Sequence, residues 1–329
     1  MNARFMKRLA ALAALLLGLS HHAAAQDKII VSGASGQLGG MVVEELLARH
    51  VAPQNLILVS RTPNTEALKA YAAKGASVRY GDFNEPESLV TAYAGGTRML
   101  LISINAGGGR RPELHKVAID AAVAAGVKQI AYTSYVNADT NTSSTLAADH
   151  RRTERYLEDS GVAWTMLRNQ IYANGLVDQA AQIIRDGRLV TNTPDARIAY
   201  VTREDCAAAA AAVLATPGHD NKAYNITGPH AIGPRELVAL ASDLSGKHVE
   251  LVVLDDAAYG KYLAEAGMSD DAIRGSLSFA AELNTPFMRE PSTAVADLTG
   301  RPATSVRMLL TQNRAKLVEA AVRPSGGQP

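Results

Sequence analysis

The chain has 329 residues, 47% of them hydrophobic and 20% charged, the make-up of a globular protein large enough for one large domain or two unequal lobes. Its 33 basic residues stand against 32 acidic ones, which excludes the strong positive excess of a chain built for nucleic acid. A single cysteine, Cys206, excludes an internal disulfide, and its setting, DCAAAAAAVLA, reads as a helix that buries a small thiol.

The first 25 residues have the three parts of an export leader. Arg4, Lys7 and Arg8 come first, then an apolar run at 9–19, then Ala23, Ala24 and Ala25 before Gln26. The run is too short to span a bilayer, and no later stretch is a transmembrane candidate, so no stable membrane anchor is expected after cleavage. Use of the leader implies a periplasmic or secreted protein. An extension with Met6 as a second start implies a cytoplasmic one. Removing the leader leaves 30 basic against 32 acidic residues.

From Lys28 onward, short aliphatic runs alternate with helical segments. KIIVSG predicts the first strand and residues 37–50 a helix with Leu38, Val42, Val43, Leu46 and Leu47 on one face. NLILVS, a helix over 65–74, SVRYGD, a helix opened by Asn84, Glu85 and Pro86, and RMLLIS follow. A helix over 112–125 leads into VKQIAYTS. Five strands with four crossovers predict an α/β fold, a doubly wound parallel sheet. NADTNTSSTLAAD reads as a loop over the carboxyl edge, followed by a helix over 149–160 and the strand AWTMLR. Beyond Asn169, the strands RIAYV, AYNIT and HVELVV and further helices predict a smaller C-terminal α/β lobe, and residues 323–329 a disordered tail.

The stretch VSGASGQLGG runs from the first strand into the first helix. Gly33, Gly36 and Gly39 in it give the spacing by which backbone approaches a pyrophosphate at a helix N-terminus, the mark of a Rossmann dinucleotide site. The second strand ends in Ser60 and Arg61, where an acidic residue would bond the ribose 2′-hydroxyl of NAD. A guanidinium there suits a 2′-phosphate, so NADPH is the expected cofactor and NADH a possible one. Asp82, after the third strand, either reaches the adenine end or caps the next helix.

GASGQLG, VSRTP, GDFNEPESL, LLISINAGGGRRP, AAVAAGVKQIAYTS, ADHRRTERYLEDSGVAWTMLRNQIYAN and YNITGP together resemble the NmrA-like atypical short-chain dehydrogenases. The resemblance is strongest to the bacterial NAD(P)H:quinone oxidoreductases of type 2, with the triphenylmethane reductases nearby. It implies a Rossmann domain over 26–168 and a smaller substrate-side lobe over 169–322, interleaved with the Rossmann core. It also implies hydride transfer from NADPH to a small quinone-like acceptor. By position it places Gly33, Ser35, Gly36, Gln37 and Leu38 at the pyrophosphate and Arg61 at the 2′-phosphate. Ser103, Ile104 and Asn105 pass under the cofactor ribose, and Asn169, Tyr172 and Asn174 face the nicotinamide or the acceptor. The sequence departs from the family in its leader, in the AGGG after Asn105, and in Gln170 and Ile171.

No Tyr-x-x-x-Lys pair occurs in the chain, which argues against the usual alcohol-carbonyl chemistry. Quinone reduction needs it less, because the quinol anion takes its proton from water. His150, opening H-R-R-T-E about where related reductases carry a functional lysine, is the expected donor to the ribose or acceptor oxygen, or else a surface helix cap. Tyr135 and Tyr172 are weaker candidates. The eight histidines show no ligand spacing, so no metal is expected, and no G-x-S-x-G nucleophile elbow occurs. The alternative function is a non-catalytic NAD(P)-binding redox sensor of the same family.

Overall fold

A computed structural model describes residues 27–106, 109–140 and 145–322. The expected leader, two glycines of the AGGG stretch, part of the polar loop and the expected tail lie outside the described residues.

The main sheet has seven strands in the order β3-β2-β1-β4-β5-β6-β8, all parallel. They are β1 Ile29–Ser32, β2 Leu56–Ser60, β3 Ser77–Tyr80, β4 Arg98–Leu101, β5 Gln129–Tyr135, β6 Ala163–Asn169 and β8 Lys222–Ile226. The central strands are continuous apolar runs because both faces are covered: every residue of β1, β2 and β5 is buried. Successive residues serve opposite faces. Val31, Leu58 and Leu100 pack under α1 (Gln37–Ala48), α2 (Glu66–Ala73) and α7 (Arg203–Ala215). Ile30, Ile57, Met99 and Tyr132 pack under α3 (Pro86–Tyr93), α4 (Arg110–Ala124) and α5 (Thr145–Asp159). The strand order reverses between β1 and β4, and the crevice outside their carboxyl ends is where such sheets take ligands.

The region after Asn169 differs from expectation in two strands. AYNIT joins the main sheet, with Thr165 opposite Lys222 and Asn169 opposite Ile226, because α7 is a further crossover that returns the chain beside β6. RIAYV is not a strand. Its backbone bonds go one by one to different segments: Ile198 N–H to Ile232, Ala199 N–H to Met288 and Val201 N–H to Ile171. The helix expected from 149 begins four residues earlier, at Thr145, which shortens the polar loop.

HVELVV forms β9 (Glu250–Val253), which pairs in parallel with β7 (Arg188–Thr191) in a separate two-stranded sheet. A third apolar cluster holds α6 (Gly175–Asp186), α8 (Pro234–Ser245) and the closing helices at Val306–Gln312 and Arg314–Val322 together. Among the described residues, no helix is long and apolar enough to cross a membrane.

Candidate nucleotide and acceptor site

The turn after β1 is held flat against the sheet by the N–H groups of Gly33 and Ala34, both donating to the Val59 carbonyl. Gly33 has φ +91°, a conformation open to glycine. A Cβ on Gly39 would stand 2.2 Å from the Gly33 carbonyl oxygen, so only glycine lets α1 start this close to the turn. That helix has no side-chain cap and no acidic residue in its first turn, leaving its N-terminal N–H groups and positive dipole end for an anion.

Beside the turn, three hydroxyls interlock. Ser60 Oγ lies 2.7 Å from Ser35 Oγ and accepts the Thr62 N–H at 2.9 Å, while Thr62 Oγ1 donates to Ser35 Oγ. The exposed Arg61 follows Ser60. A cavity of about 820 Å³ runs from Gly33, Ser35 and Gly36 past Arg61 and Asp82 to Ser103, Ile104 and Asn105. Asp82 Oδ1 accepts the Asn84 backbone and side-chain N–H groups, each at 2.9 Å, so it closes a local turn and does not cap α3, whose N-cap is Glu85. Gln37 lines a neighbouring groove, while Leu38 and Gly39 are buried under the helix.

The segment after β4 is pinned from behind. Ser103 N–H donates to Thr133 Oγ1 at 2.8 Å, Ile104 N–H to His115 Nε2 at 3.1 Å, and the Ile104 carbonyl accepts Arg111 Nε at 2.9 Å. Arg111 also forms a buried ion pair with Asp149, 3.4 Å. Neither His115 nor Arg111 is singled out by sequence reasoning, since contacts between α4 and the β4 loop follow no spacing rule.

His150 is neither at a helix start nor on the surface. It sits in the second turn of α5, buried, with Nδ1 2.7 Å from the Tyr132 hydroxyl and its ring stacked on Tyr135 at 6.1 Å. Burial, reinforced by the nearby Arg111 charge, holds its pKa down at about 3, so the imidazole is neutral. His115 is lowered to about 3 by the same two causes.

Asn169 ends β6 opposite Tyr135, and its side-chain N–H donates to the Tyr172 hydroxyl at 3.4 Å. Its Oδ1 is buried without a partner among the described residues. Burial pushes the Tyr172 phenol up, and the Arg203 guanidinium lies 5.0 Å from the ring centre. Asn174 is turned elsewhere. Its Oδ1 accepts the Arg203 N–H and its Nδ2 donates to Glu204, so both polar ends are spent on the start of α7. Cys206 is buried in α7, as its alanine-rich setting predicts.

The NAD(P)H-binding family model matches residues 33–217, more than half of the chain. The chain belongs to the NmrA-like, NAD(P)H-binding family. Quinone oxidoreductase 2 of Escherichia coli is 35% identical over 84% of this chain and 96% of its own length. The NAD(P)H azoreductase of Xenophilus azovorans is 24% identical over 84% of this chain and 94% of its own. Among solved structures, the NADPH-dependent quinone oxidoreductase of Escherichia coli in complex with NADPH superposes with a TM-score of 0.79 at 34% identity, covering 87% of this chain and 99% of that one. The Citrobacter sp. triphenylmethane reductase complexed with NADP(H) gives 0.78 at 32% identity, again over 87% and 99%. The protein is thus an NAD(P)H-dependent oxidoreductase of this family. The glycine cradle and the open helix terminus fit a dinucleotide.

Proposed function

We propose that this protein is an NADPH-dependent reductase that delivers hydride to a quinone or a similar conjugated acceptor. The acceptor class rests on one observation, the 35% identity to quinone oxidoreductase 2 over nearly the whole of that protein. Preference for NADPH over NADH rests on Arg61 and the hydroxyls of Ser35, Ser60 and Thr62, with no carboxylate at the end of β2.

The bound dihydronicotinamide supplies the hydride. The protein aligns and stabilises. Asn169, whose Oδ1 has no partner among the described residues, would accept the carboxamide N–H and so orient the nicotinamide. His150, neutral, donates to the acceptor oxygen as negative charge develops there, and Tyr172 holds Asn169 in place. Net delivery of hydride converts the quinone to the quinol monoanion, with one ring oxygen left as an oxyanion, and a proton from water completes the quinol. No Tyr-x-x-x-Lys acid is needed.

Steady-state NADPH oxidation with a panel of quinones tests this reading. Turnover with at least one quinone is expected, and His150→Gln, Asn169→Ala and Tyr172→Phe are each expected to lower it more than they lower thermal stability. Micromolar NADPH binding without turnover on any acceptor would replace the reductase by the sensor.

A further inference from the structure

Three buried side chains from three elements form one hydrogen-bonded line behind the site: His115 on α4, Tyr132 on β5 and His150 on α5. The directions are assigned outward from one certain donor. The Ile104 backbone N–H can only donate, so His115 Nε2, 3.1 Å away, accepts and carries no proton. His115 is neutral, so its proton is on Nδ1, within reach of Thr153 Oγ1 at 3.1 Å and the Tyr132 oxygen at 3.2 Å. Thr153 gives its own proton to the Asp149 carbonyl and is free to accept. His115 Nδ1–H can only donate to the Tyr132 oxygen, and His150 Nδ1 at 2.7 Å is the shortest contact of that hydroxyl, so we assign the Tyr132 proton to His150 Nδ1. His150 Nδ1 accepts, which leaves its proton on Nε2, an atom with no hydrogen bond to the protein among the described residues.

We infer that His115 and Tyr132 are positioning residues for the reaction: they couple the backbone of the cofactor segment at Ile104 to His150 and hold His150 as the Nε2–H tautomer, a fixed donor. Without Tyr132 the ring is free to present a lone pair instead, which repels an acceptor oxygen. This rests on the reading of His150 as the donor to the acceptor. His115 acts at a second point, since its Nε2 is the partner of a backbone N–H in the wall of the nucleotide cavity.

Nitrogen NMR of protein labelled with 15N-histidine, with NADP bound, reads the tautomer without any turnover. The wild-type spectrum is expected to show His150 and His115 as neutral rings of opposite tautomer, Nε2–H and Nδ1–H. Tyr132→Phe is expected to mix the His150 tautomers and lower kcat about tenfold, the loss of one oriented hydrogen bond, with the NADPH Kd within twofold of wild type. His115→Leu is expected to raise that Kd about tenfold, because the Ile104 amide is left without its acceptor. An Nδ1–H signal for His150 in the wild type overturns the proposal, and this measurement needs no variant to fold. An unchanged His150 tautomer in Tyr132→Phe overturns it too, as does a mixed tautomer with unchanged kcat. If no quinone is reduced by the wild type, the reductase reading fails while the spectrum still judges the relay.

Discussion

In the proposed function, cofactor choice turns on Arg61. It follows a strand end whose hydroxyls are mutually bonded and carry no charge, so its guanidinium is the cation expected at a 2′-phosphate. Arg61→Ala is expected to remove roughly 1.5–3 kcal/mol of NADPH binding and leave NADH almost untouched, so the ratio of the two affinities should fall about ten- to hundredfold. Titration of both cofactors into both proteins measures it, and an unchanged ratio would remove Arg61 from the 2′-phosphate site. His150 carries a different signature. An unfolded histidine binds its proton near pH 6.5, whereas His150 stays neutral down to about pH 3, so below pH 6.5 the unfolded chain binds more protons and stability falls with falling pH. The penalty is absent above pH 6.5 and grows by up to about 1.4 kcal/mol per pH unit between the two values. Urea midpoints at pH 7 and pH 5 should differ more for the wild type than for His150→Gln. Equal differences would mean that His150 is not held neutral.

Among the elements, the strands of the first half were legible because each is a short apolar run buried on both faces, and the glycine spacing marked where the first of them turns. The same alternation misled at 197–201. It reports burial of Ile198 and Val201 faithfully, but burial does not say whether one neighbour or three supply the hydrogen bonds. Strand β8 looked like part of a lobe because its edge position leaves Lys222 and Ala223 exposed, and nothing local in the chain names the sheet it joins. The wire from His115 to His150 was illegible for a related reason: residues 115, 132 and 150 meet only once α4, β5 and α5 are packed. One junction shows how tight this packing is. Gly228, just past β8, crosses the 199–200 backbone so closely that a Cβ would lie 1.9 Å from the Tyr200 carbonyl oxygen, while its N–H donates to the Ala199 carbonyl at 2.9 Å. Backbone cannot yield there as a side chain does. Gly228→Ala is expected to cost about 1–3 kcal/mol of stability by urea unfolding, and a neutral result would show that the crossing gives way freely.

For the molecule as a whole, we propose that residues 1–25 direct export, a reading that rests on their basic start, apolar middle and Ala23 to Ala25. Fractionation of cells making the full chain, with N-terminal sequencing, is expected to recover a periplasmic protein beginning near Gln26. An uncleaved N-terminus found only in the cytosol would end the export claim and leave the reductase untouched. Either way the folded chain carries a timekeeper of its own. Cys206 is the sole thiol, 2% exposed in a helix that packs with α1, the helix whose N-terminus is open to an anion, and burial pushes its pKa well above the usual range. A thiol reagent therefore waits for α7 to lift from the core in which Cys206 is buried, and the rate of labelling in native buffer clocks that opening. Saturating NADPH should slow the clock, because a ligand held by the closed form makes the open one rarer. A labelling rate indifferent to cofactor would mean that the thiol is reached by a breach that leaves the phosphate helix in place.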